Sequence, residues 1–260
     1  MLVLLPPSET KRAGGTGEPL DFAALAYPEL NSRRRALVRA LKSLARHPDA
    51  SMVALKLGRT QHVEIERNRT LTTSPTMPVI DRYTGVLYEA FDASTLLPTA
   101  REFAGRHVVV HSALFGLVAA LDLVPAYRMS HDSRLPELTL KKLTLKKHWG
   151  NSIAGALNKA DGLILDLRSE AYVALGVAPV RRESVFLRVV TETADGSKRA
   201  LNHFNKKSKG ELTRALVQNG QNFESVGELL DWAAEAGFRL RRGAPGELEL
   251  VVDQILAHDR

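Results

Sequence analysis

The chain has 260 residues, with 36 Lys and Arg against 29 Asp and Glu for a formal net charge of +7, and no cysteine. That length can close one sizeable core, and the missing cysteines exclude disulfides, thiolate catalysis and Cys-ligated zinc. The surplus of cations points to a polyanionic partner, and no apolar run approaches the roughly 18–20 residues that cross a bilayer. A cytoplasmic monomer is the expectation, with no membrane, cofactor or metal.

The opening Met1–Leu5 run stops at Pro6 and Pro7, too short for a secretory leader, and reads as a first strand. Residues 12–30 are loop-like. Their Gly14, Gly15 and Gly17 lack the Gly-Lys-Ser/Thr ending of a phosphate loop. Residues 32–47 follow: Leu37, Leu41 and Leu44 recur at helical spacing, so an amphipathic helix starts near Asn31 or Ser32. Arg35, Arg39, Lys42 and Arg46 fall at i, i+4, i+7 and i+11 and align along one face. Like charges so spaced repel by roughly 0.2–0.5 kcal/mol per pair. A phosphate backbone would offset that repulsion; acids from elsewhere in the fold are the alternative.

Residues 51–67 read as one short helix or two broken at Gly58, 72–83 as a linker, and 85–91 as a helix. Val108–Val110 form a buried strand that delivers Ser112 into an apolar turn, and the segment closes on Asp122, Pro125, Tyr127 and Arg128. Its plainest reading is a strand, a helix and a Pro turn. Polar groups just beyond the carboxyl end of such a strand are where open α/β sheets place ligands. Residues 140–149 read as a helix or strand, mostly solvated and anchored by Trp149, with Lys141, Lys142, Lys146 and Lys147.

Strand 163–167 again ends in polar residues, Arg168, Ser169, Glu170 and Tyr172. Residues 185–193 predict a strand, 194–197 a turn, Lys198–Phe204 the return strand, and a helix starts near Ser208. Lys206, Lys207 and Lys209 would then crowd a helix amino terminus, which is an anion site. A helix at 223–236 and a hairpin over 238–252, turning at Gly243–Gly246, complete the chain. Without a regular βαβ period, the fold class is α/β of mixed α+β type: one domain over 1–260 with a mixed central sheet and surrounding helices.

Metal chemistry finds little support. His107 and His111 flank a strand, on one face about 13 Å apart by the usual rise, and no histidine pair has ligand spacing. A Ser-His-Asp triad through Ser112 and Asp122 lacks the Gly-x-Ser-x-Gly elbow.

Several blocks, in order, carry a family resemblance: LLPPSETK, RYTGVLY (82–88), HSALFG with ALDLVPAYR (111–128), Trp149, LDLRSEAY (165–172) and HFNKKSKGELTR (203–214). Together they resemble the YaaA family of peroxide-stress proteins. The resemblance implies a compact α/β fold, a positively charged cleft, a helix-hairpin-helix at about 32–67 and affinity for double-stranded DNA. By position, the cleft would collect Lys11, Ser112, Tyr127, Arg128, Ser169, Lys206, Lys207, Lys209 and Arg214. The chain departs from the family pattern in Met129-Ser130 after Arg128, in Lys at 209, and in a hairpin with only Gly58.

Two functions follow. The first is a DNA-binding protein of the oxidative-stress response, using phosphate contacts with little sequence readout. The second is an enzyme acting on a nucleotide or nucleobase, for example by N-glycosidic hydrolysis, with Lys206 and Lys209 on a phosphate, Arg128 on an anion, and Glu170 or Asp122 as acid or base. For Glu170 the plainer role is a helix amino-terminal acid, and for Asp122 an N-cap or local salt bridge.

Overall fold

In the computed structural model, residues 1–140, 143–192, 198–199 and 202–252 are described. Strands are numbered in chain order. The first strand, β1 (Leu2–Leu5), lies inside the sheet with all four residues buried. The strands β2 (Met77–Pro78) and β5 (Leu123–Val124) form a separate antiparallel pair. The main sheet runs β4 (Gly116–Ala119), β3 (Val108–Ser112), β1, β6 (Ile164–Asp166), β7 (Ser184–Glu192), β10 (Glu247–Val252), β9 (Leu240–Arg242), and β8 (Lys198–Arg199) pairs with β7. The five strands from β3 to β10 are parallel, and β4, β8 and β9 are antiparallel to their neighbours.

The apolar strand runs follow from this. β1, β3 and β6 are buried throughout, as parallel strands covered by helices on both faces must be. The chain leaves β1 for β3 on one side, then returns to β6 on the other. The order reverses beside β1, which opens a crevice at the carboxyl ends of the strands. One continuous core spans both faces, and Trp149, fully buried, donates its indole N–H to the Ala113 carbonyl at 2.9 Å.

Most helices lie where the pattern predicts them. The Arg-rich helix is Asn31–Leu44, followed by Pro48–Ala54 and His62–Arg69 with Gly58 between, and Val226–Glu235 lies near the carboxyl end. The region 145–158 is helical, capped by the Thr144 side chain; Lys141 and Lys142 lie outside the described residues, as do Thr193 and the 194–197 turn.

Three expectations need correction. Residues 116–119 are strand β4, not helix, because Leu117 and Val118 pair with β3 and are fully buried. The linker-like 72–83 is ordered: it holds β2 and the helical turn Val79–Arg82, with Val79, Ile80 and Tyr83 buried. Of the expected return strand, Lys198–Arg199 is strand, residues 200–201 lie outside the described residues, and Asn202–Phe204 opens the helix Asn202–Asn219 instead. That helix needs glycine at position 210. A Cβ there would lie 2.2 Å from the Leu87 carbonyl oxygen on the helix Val86–Phe91.

Three arginines are core residues. Arg34, Arg82 and Arg168 are fully buried. Arg34 donates to the carbonyls of Phe115, Leu117 and Ala26, and Arg82 to those of Val124, Arg12 and Pro75. Each binds backbone carbonyls inside the fold, so part of the basic composition is architecture.

Candidate functional site

The loop after β1, the end of β3 and the segment 127–128 meet at the crevice. Ser112 accepts the backbone N–H groups of Leu114 and Phe115 at 3.1 and 2.9 Å. Both lone pairs of its oxygen are then used, so its hydrogen goes to the Tyr127 hydroxyl, 2.6 Å away. The Tyr127 and Tyr83 hydroxyls share a hydrogen bond at 2.7 Å. Burial pushes the Tyr127 phenol up to about 12 and the Tyr83 phenol well above its ordinary value, so both stay protonated.

Lys11 closes this cluster. It bridges to Tyr83 through the backbone, and its Nζ lies 4.1 Å from the Tyr127 ring centroid. Nζ donates to the carbonyls of Ser8 and Glu9 at 3.0 and 3.2 Å. With 6% of its surface exposed, Lys11 is desolvated, and burial lowers its amine to about 7, opposed by the field of Glu64 and aided by that of Arg128. Arg128 donates to Glu9 Oε2 at 2.6 Å, and its backbone is clamped by the Asn68 amide in both directions.

The end of β6 supplies a second group. Asp166 and Arg168 form a buried bidentate pair at 2.8 and 2.6 Å. Arg168 also donates to the Gly176 carbonyl and to His111 Nδ1, both at 2.8 Å. His111 therefore carries its hydrogen on Nε2, which has no partner among the described residues. Its pKa is lowered well below the usual value by burial first, then by Arg168. The His111 and His131 rings meet Tyr172 edge-on at 5.7 and 5.5 Å.

Lys209 reaches the same end of the sheet. It is 5% exposed, its Nζ lies 5.5 Å from the Phe186 ring centroid, and burial lowers it to about 8 against the field of Asp166.

The other sequence-predicted residues divide clearly. Lys206 and Lys207 are exposed on the second turn of their helix, so the helix amino-terminal anion site built on them and on Lys209 does not exist as drawn. Lys207 pairs with Glu211 at 3.5 Å. Arg214 donates to the carbonyls of Phe91 and Asp92 and to Thr95 Oγ1, tying down the end of a neighbouring helix. Ser169 is exposed, precedes the helix Glu170–Val173, and makes no side-chain cap. Glu170 is that helix's first-turn acid and pairs with Arg188 at 3.0 Å. Asp122 lies at the opposite, amino end of β3, accepting from the backbone of Ala26 and Ala119 at 3.0 and 2.9 Å, with its carboxyl raised by burial. It cannot serve chemistry at Ser112.

The sequence assigns no site role to Tyr83, Glu9, Glu64 or Asn68, and offers His111 and Arg168 only as residues at strand ends. Tyr83 and Glu9 stood inside blocks already singled out, so that signal was available. Pairing of Arg168 with Asp166 two residues away gives no pattern of its own.

A separate basic surface lies on the helix Asn31–Leu44. Arg35, Arg39, Lys42 and Arg46 line a groove of about 610 Å³ with Phe22, Val38, Ser43, Thr72 and Glu137. Arg35 stacks on Phe22, its guanidinium carbon 4.6 Å from the ring centroid. None of these four cations makes an ion pair among the described residues. No group of three or more His, Asp or Glu with metal-binding geometry occurs among the described residues, and no helix there is long and apolar enough to cross a membrane.

Comparison with known proteins covers nearly the whole chain. A UPF0246 protein of Corynebacterium efficiens is 41% identical over 97% of this chain and 100% of its own length. One from Corynebacterium glutamicum is 41% identical over 91% and 93%, and one from Streptomyces coelicolor 36% identical over 95% and 94%. The family model described as peroxide stress protein YaaA matches residues 1–243. The chain belongs to the peroxide stress protein YaaA family.

Proposed function

We propose that the protein binds duplex DNA as part of an oxidative-stress response, through phosphate contacts made by one face of the helix Asn31–Leu44 and Arg46 just beyond it. The observation that carries this reading is the row Arg35, Arg39, Lys42 and Arg46. Among the described residues no acid makes ion-pair contact with them, although Glu137 lines the same groove. Four aligned cations without counter-charges keep a self-repulsion that polyanion binding relieves, with release of condensed counterions. The two short helices Pro48–Ala54 and His62–Arg69 pack against this helix and form the helix-hairpin-helix-like unit of the proposal.

Contacts of this kind position a protein on the duplex without reading bases. Unrelated duplexes of equal length should therefore bind with affinities within about threefold of one another, since each base-specific bidentate contact would add about 1–3 kcal/mol. Competition binding with shuffled sequences checks this, and a preference of a hundredfold would point to base readout instead. A second reading, an enzyme acting on a nucleotide or nucleobase in the crevice, is favoured by one observation: the buried Lys11 amine at the strand ends, 4.1 Å from the Tyr127 ring centroid.

A further inference from the structure

The groove on the helix Asn31–Leu44 is more than a row of surface charge. It encloses about 610 Å³, within the roughly 300–1,000 Å³ of small-ligand sites. Four stretches of chain build it: Phe22 from the loop before the helix, the helix face with Arg46, Thr72 from the loop after His62–Arg69, and Glu137 from the short helix Pro136–Leu140. A duplex backbone is convex and meets the rim of such a hollow, whereas a small anion enters it.

The two ends of the groove differ. At one end the Arg35 guanidinium lies over the Phe22 ring, 4.6 Å from its centroid, with Phe22 buried and Arg35 exposed. Phe22 thus holds one face of the guanidinium and leaves the other to solvent, and a guanidinium plane so presented stacks a nucleobase. Toward the other end Lys42 donates to Thr72 Oγ1, and the Thr72 hydrogen has no acceptor among the described residues. With Arg46 one turn further on, that end offers cations and a hydroxyl donor, the partners of a phosphate group. Arg35 and Lys42 are seven residues apart, about 10 Å by the helical rise. The base and phosphate chain of a single nucleotide span that distance.

Glu137 adds a carboxylate. It lines the groove without an ion pair among the described residues. A carboxylate repels phosphate, so a site for phosphate alone gains nothing from it. It does accept hydrogen bonds, and a ribose carries hydroxyl donors that a carboxylate binds.

We propose that this groove binds a free ribonucleoside triphosphate, with its base stacked on Arg35, its sugar hydroxyls toward Glu137 and its phosphates on Arg39, Lys42, Thr72 and Arg46, and that the nucleotide displaces DNA from the same face. The displacement rests on the duplex reading above; the nucleotide site does not. Base identity is not read, because every base offers a π-face to the guanidinium.

The test titrates the full chain with ATP and, separately, with inorganic tripolyphosphate, without divalent cations, in a calorimeter. ATP is expected to bind more tightly by about fivefold or more, the low end of what one stacked base contributes, although tripolyphosphate carries no less charge. Arg35→Lys keeps the cation and loses the plane. It should erase that margin while duplex affinity stays within about threefold. Glu137→Ala should weaken ATP and tighten tripolyphosphate, a split that a folding defect would not produce. ATP should release a labelled duplex over the concentrations at which it binds. Equal affinity for ATP and tripolyphosphate overturns the proposal, as does an ATP affinity unchanged by Arg35→Lys and Glu137→Ala. ATP binding that leaves the duplex in place overturns the shared face. Duplex binding without ATP binding overturns the nucleotide site and leaves the duplex reading standing. ATP binding by a chain with no duplex affinity supports the nucleotide site and removes the duplex reading instead.

Discussion

Replacement of Arg168 by alanine is expected to cost about 3–5 kcal/mol of folding stability, the range for leaving one partner of a buried ion pair uncompensated. The guanidinium is fully buried and makes four side-chain hydrogen bonds: two to Asp166, one to His111 Nδ1 and one to the Gly176 carbonyl. Its loss strands the Asp166 carboxylate, 4% exposed at the end of the central strand β6, without a counter-charge. Urea unfolding should show a lowered midpoint with an unchanged slope. Asp166→Asn in the Arg168→Ala background should recover part of the loss, because the remaining partner is no longer charged. A cost below about 1 kcal/mol would place this pair in the class of exposed, weakly contributing bridges and contradict the burial.

The second large effect falls on binding. Changing Arg35, Arg39, Lys42 and Arg46 together to alanine is expected to lower duplex affinity by about two to three orders of magnitude near 0.1 M salt, and to reduce the log–log salt slope by about 3 to 4. Stability should barely move. Arg35, Arg39 and Arg46 are exposed, and the change relieves the i, i+4 repulsions of Arg35 with Arg39 and Lys42 with Arg46, worth roughly 0.2–0.5 kcal/mol each. Loss of the Arg35 stack on Phe22 acts in the opposite sense. Fluorescence anisotropy on a labelled duplex reads the affinity, and thermal melting confirms the fold. A folded variant that binds as the parent does would move the interface away from this helix.

Much of the architecture was legible because its physics is local. Val108–Val110 and Leu163–Leu167 are apolar runs that only a doubly covered strand would tolerate, and both are strands. The basic helix declared itself through Leu37, Leu41 and Leu44 on one face. What failed depended on partners distant in sequence. Asn202–Phe204 reads as the end of a return strand, yet it opens the helix Asn202–Asn219, whose Gly210 meets Leu87 too closely for any side chain. The Ala- and Leu-rich stretch after Phe115 favours helix locally, but pairing with β3 makes it strand β4.

The site was legible in part, for the same reason. Ser112, Tyr127, Arg128 and Lys11 come together at the strand ends. Asp122 lies ten residues from Ser112 in the same segment, yet the β3–β4 hairpin folds it back to the far end of the sheet. Arg34 sits inside a run of three arginines and reads as surface charge. Only the tertiary fold shows that it holds the carbonyls of Phe115 and Leu117. Charge counts from sequence therefore overstate the exposed field by the buried arginines and by the buried Lys11 and Lys209.

The central claim, phosphate-driven duplex binding, is tested most directly by measuring the affinity of the unaltered protein for one duplex between about 50 and 200 mM salt. Four phosphate contacts from the helix face alone predict a log–log slope of about −3.6 or steeper. An affinity that stays flat across that range would contradict the account.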